Sequence, residues 1–295
     1  MELRVLEYFL AVAREQSIMA AADYLNITQP TLSRQLQDLE NEFGKPLFIR
    51  GKRNRKISLT EEGMLFRKRA QEIIDLAERT KKEMLQSNTG ISGDIYIGAG
   101  ETDTMSHIMA IIQNIRNQYP EVHLHVVSGN SDDLLPRLDS GLFDFCLLMG
   151  DINQAKYDFL NLPWQDGWGV LMHKDAPLAE KETIAPEDLW NEPLIISHAA
   201  LDSPQFFKSM KRNSSELNII ATYNLAYNAS VMAKMGMGYV LALDKIINTE
   251  GSELCFRPLP SFPKLGMSLV WKKYQVFSRA AEYFLEQVQP IAREP

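Results

Sequence analysis

The residues best suited to recognise another molecule lie on one short helix near the amino terminus. Thr28 can cap this helix, and Pro30 fits its first turn because a missing N–H does no harm there. Apolar residues recur at steps of four, three and four and form one stripe: Leu32, Leu36, Leu39 and Phe43. The opposite face is short and polar with one arginine, which suits base edges and phosphates. The candidate DNA contacts are Thr28, Gln29, Pro30, Thr31, Ser33, Arg34 and Gln37, with Ser17 ahead of the preceding helix.

A basic loop follows this helix. Residues 46–50 and 57–60 are predicted to form two short strands, and the segment 50–56 between them carries five positive charges in seven residues. Such a wing beside a recognition helix can reach phosphates or a minor groove. A solvated loop is the alternative, because charge runs usually have no partner. The candidate contacts here are Arg50, Lys52, Arg53, Arg55 and Lys56.

Three helices must position these side chains. The first is predicted over residues 2–15 and the second over 18–25 behind the N-cap Ser17, and the third ends at Gly44. A three-residue turn joins the second and third helices, which is typical of a helix-turn-helix. A bundle of amphipathic helices with a solvated polar face is the alternative interpretation.

One long helix is predicted over residues 61–88, with Thr60 as its cap and two acids in its first turn. Apolar and small residues alternate by four and three, a period of about 3.5 that is typical of a coiled coil. They are Phe66, Ala70, Ile73, Ala77, Thr80 and Met84. Packing on its own domain is the alternative, but the sustained period favours a second copy of this chain. Residues 87–93 are predicted to form a hinge.

The rest of the chain alternates strands and helices. The β-α-β-α-β order over residues 95–149 predicts a parallel, doubly wound sheet, a second lobe begins near residue 162, and a strand at 265–271 returns to the first lobe. The cleft between two such lobes is a natural ligand site at the carboxyl ends of the strands. The candidate effector contacts are Gly100, Glu101, Thr102, Asp103, Thr104, Asn130, Ser131, Ser197, His198, Tyr223 and Asn224.

Charge is distributed unevenly. The net charge is −7, yet residues 1–90 hold 15 Lys/Arg against 13 Asp/Glu, whereas residues 91–295 hold 16 against 25. An acidic body with a basic head indicates DNA contact through the head alone. No apolar run reaches about 18 residues, and the acidic opening does not resemble a signal peptide, so we expect a cytoplasmic protein without membrane contact.

Enzymatic motifs are missing from the sequence, which has no Walker loop, nucleophile elbow or metal-spaced histidine cluster. His123 and His125 share one strand face, which we interpret as solvated. Cys146 and Cys255 have apolar neighbours and are interpreted as buried small side chains. We therefore expect no enzyme, cofactor or metal. A free-standing periplasmic-type solute binder is a further alternative, against which the basic head argues.

The head resembles the LysR-type transcriptional regulators over residues 6–13, 17–25, 28–36, 39–40, 44, 46–50 and 59–63, and weaker similarity continues at 97–99, 129–131, 138–144 and 192–194. The resemblance implies an α+β multidomain protein with a winged helix-turn-helix over residues 1–60 and a linker and dimerisation helix over 61–90. A two-lobed α/β effector-binding domain, like a periplasmic binding protein, would span 91–295. Lobe one would comprise about 91–161 and 265–295, and lobe two about 162–264.

The resemblance also implies a homodimer or tetramer that binds a double-stranded DNA operator and responds to a small-molecule effector. Gln29, Pro30, Ser33 and Arg34 would face the DNA, and RNA polymerase is a further candidate partner.

One feature departs from the family. Ser or Thr often follows the first sensor strand there and suits carboxylate effectors, whereas this chain has Glu101 and Asp103 in that turn. With helices expected to begin near Thr102 and Ser131, the acids would offset the partial positive charge at the first of these helix starts. We hypothesise a neutral or cationic effector. The alternative is that the acids only cap the helix and point away from the cleft.

Overall fold

The computed structural model describes residues 1–49, 56–85 and 90–293, and the chain divides into two units, Met1–Ser87 and Asn88–Pro295. Each unit has its own apolar core. Within the described residues, no helix is both long enough and apolar enough to cross a membrane.

The first unit contains the three predicted helices and a two-stranded sheet. The helices are α1 (Leu3–Glu15), α2 (Ile18–Leu25) and α3 (Gln29–Phe43), and the strands are β1 (Phe48–Ile49) and β2 (Ser58–Leu59). The strands pair antiparallel, with Phe48 opposite Leu59. Leu32, Leu36 and Leu39 of the predicted α3 stripe are buried against α1 and α2, so these helix assignments are confirmed. Phe43, which was predicted to continue the stripe, lies at the end of the helix and is 42% exposed.

The long helix α4 (Glu61–Leu85) uses part of the predicted coiled-coil seam for its own domain. Ala70 is fully buried, and the Phe66 ring packs edge-on against Phe9, with 4.7 Å between ring centroids. Assigning Phe66 and Ala70 to an interface between chains was therefore wrong. Successive residues turn by about 100°, and the 3.5-residue pattern combined two helix faces roughly a quarter turn apart. One face packs on α1, and the other exposes Leu65, Ile73, Leu76, Thr80 and Met84.

The first lobe of the second unit is built on a five-stranded sheet in the order β4-β3-β5-β12-β6. Its elements are β3 (Gly93–Ala99), α5 (Thr104–Gln118), β4 (Val122–Ser128), α6 (Ser131–Asp139), β5 (Phe145–Met149), β6 (Tyr157–Asp166), β12 (Leu265–Lys272) and α10 (Arg279–Arg293). Strands β4, β3 and β5 are parallel as predicted, but β12 runs antiparallel to β5 and β6. The parallel order predicted over residues 95–149 is therefore confirmed, and the returning strand makes the whole sheet mixed.

The second lobe holds the other five-stranded sheet, in the order β11-β7-β10-β8-β9. Its elements are β7 (Trp168–His173), β8 (Leu194–Ser197), α7 (His198–Leu201), α8 (Pro204–Met210), β9 (Ile219–Tyr223), α9 (Ala226–Lys234), β10 (Tyr239–Leu243) and β11 (Leu254–Pro258). The chain crosses into this lobe at Gly167, later than the predicted residue 162. Leu162 belongs instead to β6, where its side chain is buried in the first-lobe core.

Candidate DNA-binding surface and effector cleft

Side-chain caps fix the helix-turn-helix. The Ser17 hydroxyl accepts a hydrogen bond from the Ala20 N–H at 3.3 Å, and the Thr28 hydroxyl accepts one from the Thr31 N–H at 3.4 Å. The hydroxyls of Thr28 and Thr31 also share a hydrogen bond of 2.8 Å. Two predicted DNA contacts, Ser17 and Thr28, therefore have a structural role at the starts of α2 and α3.

The polar face of α3 is open to solvent. Arg34 is the most prominent residue on it: its side chain is 84% exposed, and its Nε lies 4.0 Å from Asp38 Oδ2. An exposed ion pair of this kind contributes little, so the guanidinium can turn to another partner at small cost. The exposed predicted contacts on α3 and its cap are Thr28, Gln29, Pro30, Thr31, Arg34 and Gln37, whereas Ser33 is half-buried.

Glu40, which the sequence did not single out as functional, attaches the start of β1 to α3. Glu40 is buried, and its carboxylate accepts hydrogen bonds from the backbone N–H groups of Leu47 and Phe48. An acidic residue directly after Leu39 of the apolar stripe was the sequence feature from which a buried, hydrogen-bonded carboxylate could have been predicted. Among the predicted wing contacts, Lys56 is exposed. The others, Arg50, Lys52, Arg53 and Arg55, lie outside the described residues.

The turn after β3, residues 100–104, holds the first group of predicted effector contacts. Thr102 is buried there, and its hydroxyl donates a hydrogen bond to the carboxylate of Asp166, the last residue of β6. Burial raises the pKa of Asp166, and the negative charge of Asp103 raises it further, although the Thr102 hydrogen bond opposes both. Among the described residues, the buried hydroxyl of Thr104 has no hydrogen-bond partner. Gly100 lies half-buried at the start of this turn.

The acids of this turn differ from expectation. Helix α5 begins at Thr104 rather than near Thr102, and neither acid caps it. Asp103 pairs instead with Lys245 of the second lobe, with 2.9 Å between Oδ2 and Nζ. The Glu101 carboxylate accepts a hydrogen bond from the backbone N–H of Ala226, also in the second lobe. The partners Asp166, Ala226 and Lys245 gave no recognisable sequence signal.

In the second lobe, Ser197 caps α7 by accepting from the Ala200 N–H at 3.1 Å, and the Tyr223 hydroxyl donates to the Leu241 carbonyl at 2.8 Å. His198 Nε2 lies 3.5 Å from the Thr222 hydroxyl. Asn224 accepts from the Leu225 N–H at 3.0 Å. Burial is the main cause that raises the pKa of Tyr223, and the negative charge of Glu101 raises it further. The Tyr223 side chain therefore lies near the turn after β3.

The turn after β4 lies beside the turn after β3. The Gly129 N–H donates to the Ala99 carbonyl at 3.1 Å. Asn130 caps α6 by accepting from the Asp133 N–H at 3.0 Å, and Ser131 begins that helix as predicted. Asn130 is therefore occupied locally, whereas Ser131 is exposed.

The two histidines of β4 are exposed, as expected for a solvated strand face. His125 Nε2 lies 3.1 Å from Asp94 Oδ1, and its ring stacks on Tyr96 with 4.5 Å between ring centroids. His123 Nδ1 lies 4.0 Å from the same Asp94 oxygen.

Two family models match the chain. Residues 3–64 match the bacterial regulatory helix-turn-helix protein of the lysR family, and residues 88–292 match the LysR substrate binding domain. The chain is 27% identical over 277 residues to a hydrogen peroxide-inducible genes activator of Pectobacterium carotovorum subsp. carotovorum, covering 92% of this chain and 90% of that protein. It is 25% identical over 291 residues to the HTH-type transcriptional regulator BudR of Raoultella terrigena, covering 97% and 99%.

Solved structures share the fold over the whole length. The crystal structure of CbnR, a LysR family transcriptional regulator, superposes with a TM-score of 0.81 at 20% identity and covers all of both chains. Full-length CbnR complexed with its target DNA gives a TM-score of 0.79 at 20% identity, covering 99% of this chain and 100% of that one. The two family matches together span nearly the whole sequence. The chain therefore belongs to the LysR family and is a DNA-binding transcriptional regulator with an effector-binding domain.

Proposed function

We propose that this regulator reads its operator with the exposed face of α3 and anchors to the phosphates with the basic wing. The observation that carries this proposal is the two-sided character of α3. The leucines of its apolar stripe are buried, while Gln29, Arg34 and Gln37 face solvent. Base contacts specify a site and phosphate contacts position the protein. Glu40 holds the start of β1 against α3, and the basic segment follows directly in sequence, so we expect the two surfaces to act together.

A gel-shift experiment tests this proposal. The full chain is titrated onto double-stranded DNA from upstream of its own gene and onto a shuffled duplex of equal length, at several salt concentrations. We expect tighter binding to the upstream duplex and weaker binding to both as salt rises. Equal binding to both duplexes would argue against sequence-specific regulation of this gene.

The effector is proposed to bind in the cleft, between the turn after β3 and the turns after β8 and β9. Two observations support this location. Glu101 and Asp103, in the turn after β3, both contact the second lobe. This turn also follows the carboxyl end of a strand, and open α/β sheets bind ligands beyond the carboxyl ends of their strands. A thermal-shift screen of small metabolites on the full chain tests it. A hit should raise the melting temperature and lose its effect when Ser197 and His198 are both replaced by Ala.

Self-association is proposed to use the exposed apolar face of α4, with a tetramer as the higher assembly. Leu65, Ile73, Leu76 and Met84 line this face, and burying them against a second copy removes them from water. Pairing would set two recognition helices about one DNA turn, or a multiple of it, apart, so operators should show imperfect dyad symmetry. A DNA partner implies the cytoplasm, and RNA polymerase is proposed as a further partner.

A thiol-based response to peroxide, suggested by the names of some relatives, is not favoured. Burial is the main cause that raises the pKa of Cys146 to about 12, and it also raises the pKa of Cys255. The thiolate is the reactive form, and a raised pKa lowers the fraction of thiolate at neutral pH. The two cysteines also lie in different lobes, on β5 and β11. Reversible ligand binding is therefore the better candidate for the signal.

A further inference from the structure

The turn after β3 reaches across the cleft. Glu101 lies in this turn, and its Oε2 accepts a hydrogen bond from the backbone N–H of Ala226, which is 125 residues away in sequence. Ala226 is the first residue of α9, so the carboxylate sits at the amino end of that helix. A charged side chain of the first lobe therefore completes a helix of the second.

Helix α9 needs this carboxylate because its own sequence supplies no substitute. The first N–H groups of a helix have no acceptor within it, and a Ser, Thr, Asp or Asn cap usually provides one. The capping position of α9 is Leu225, whose side chain has no acceptor, and the Asn224 side chain accepts from the Leu225 N–H, ahead of the helix. The amino end also carries a partial positive charge that attracts anions. Glu101 supplies both the acceptor and the negative charge.

A second link from the same turn supports the first. Asp103 pairs with Lys245, which follows β10 in the second lobe, at 2.9 Å. The lysine is largely exposed, so this pair alone contributes little. Two contacts from residues two apart nevertheless hold the turn in one place against the second lobe. The raised pKa of Tyr223 agrees with the charge of Glu101 lying close to this side chain.

We propose that Glu101 is a tethered anion that determines the effector class: it occupies the amino end of α9, and the cleft therefore selects neutral or cationic effectors over carboxylates. A free carboxylate would have to displace a group of the same chain, whose effective concentration is in the millimolar range for short connections. It would also meet Asp103 and Asp166, which are close enough to influence each other. This inference deepens the proposed effector function and rests on it for the location of the effector.

Hydrogen–deuterium exchange of the full chain, with sodium acetate as the probe, tests the proposal. Glu101→Ala should uncover the amino end of α9 and speed exchange in its first turn by roughly tenfold, as expected when one charge-assisted hydrogen bond is removed. Acetate at tens of millimolar should restore protection in this variant, because it replaces the missing carboxylate. Sodium chloride at equal ionic strength should not. The wild-type chain should show no change at α9 with either salt.

Two further variants keep the test decisive. Asp103→Ala breaks only the pair with Lys245, so exchange at α9 should match the wild type and ignore acetate. Glu101→Gln keeps the size and one acceptor but removes the charge, and it should give intermediate exchange. Wild-type exchange at α9 in Glu101→Ala, or equal protection of that variant and the wild type by acetate, would overturn the proposal. If Glu101→Ala does not fold, unchanged exchange in Glu101→Gln would overturn it. None of these measurements involves DNA or an effector, so their failure is distinct from failure of the proposed function.

Discussion

The carboxylate of Glu40 lies 2.8 Å from the backbone nitrogen of Leu47 and accepts its hydrogen bond. It accepts a second from the N–H of Phe48 at 3.1 Å. One buried side chain on the recognition helix therefore satisfies two consecutive backbone donors at the start of the wing. The position of strand β1 relative to α3 depends on this acid.

Glu40→Ala should destabilise the head because it leaves the N–H groups of Leu47 and Phe48 buried without an acceptor. A buried unsatisfied donor costs roughly 1–3 kcal/mol, so the free energy of unfolding should fall by at least that amount. Urea denaturation checks this. Glu42→Ala is the matched control, since Glu42 is an exposed acid of the same helix and should change stability by less than about 0.5 kcal/mol. Equal destabilisation in the two variants would contradict this role of Glu40.

Arg34→Ala should reduce discrimination between operator and random DNA. If the guanidinium contacts a base, its removal costs roughly 1–3 kcal/mol at the specific site. Arg34→Lys keeps the charge without the two-pronged geometry, so it should retain non-specific binding and still lose specificity. Competition gel shifts with both duplexes give the ratio. An unchanged preference in Arg34→Ala would mean that α3 is not the recognition helix.

The wing should supply affinity without sequence preference. Replacing Arg53 and Arg55 together by Ala should weaken binding to every duplex in similar proportion. The slope of log affinity against log salt should become shallower by about one unit for each phosphate group that the variant no longer neutralises. Fluorescence anisotropy over a salt series measures this slope. Weaker binding to the operator alone, with an unchanged slope, would instead assign base reading to the wing.

A charged residue on the exposed apolar face of α4 should prevent two copies of this chain from associating. Leu76→Glu would bury an unpaired carboxylate against the partner helix, which costs several kcal/mol, so dimer affinity should fall by roughly a hundredfold or more. Ala70→Glu should act differently and unfold the head, because Ala70 is fully buried in its own domain. Gln71→Glu, on an exposed position, is the control. Light scattering that shows unchanged assembly of Leu76→Glu would rule out this face.

The head could be predicted closely because its determinants are local. The hydroxyls of Ser17 and Thr28 accept hydrogen bonds from N–H groups only three residues later in the sequence. The α3 stripe follows from helical spacing alone. The faces of α4 could not be separated in the same way. Phe66 and Ile73 both fit a 3.5-residue repeat, and only the position of α1 decides that one packs inward and the other remains exposed.

The turns that we propose for the effector site could be placed from the sequence, but their contacts could not. The turns at the strand ends follow from the β-α-β order, whereas the partners of Glu101 and Thr102 lie 125 and 64 residues away. Strand β6, which carries Asp166, was not predicted. It contains Pro163, and a proline inside a short apolar segment is more typical of a loop than of a strand. The proline is tolerated here because β6 forms an edge of the sheet, where a missing N–H leaves no partner unpaired.

Asp166 should make stability depend on pH, because burial raises its pKa above the ordinary value of 3.8. At pH values below 3.8 the acid is protonated in both the folded and the unfolded chain, so its ionisation does not change the free energy of unfolding. As the pH rises, the unfolded chain ionises first, and the folded chain must later hold a buried carboxylate, so stability falls until the folded pKa is passed. Asp166→Asn keeps an acceptor for the Thr102 hydroxyl and removes this penalty.

The free energy of unfolding of Asp166→Asn should therefore increase relative to that of the wild type as the pH rises above about 4. This difference should become constant once the carboxyl group of the folded wild type is ionised. Chemical denaturation at half-unit intervals from about pH 4 to about pH 8 measures the difference. Asp158→Asn controls for replacing a carboxylate by an amide, since Asp158 is an exposed acid of the same strand. A difference that stays constant across this range would show that the Thr102 hydrogen bond offsets burial at Asp166, and a difference that shrinks as the pH rises would show that it outweighs burial. Either result would contradict the prediction.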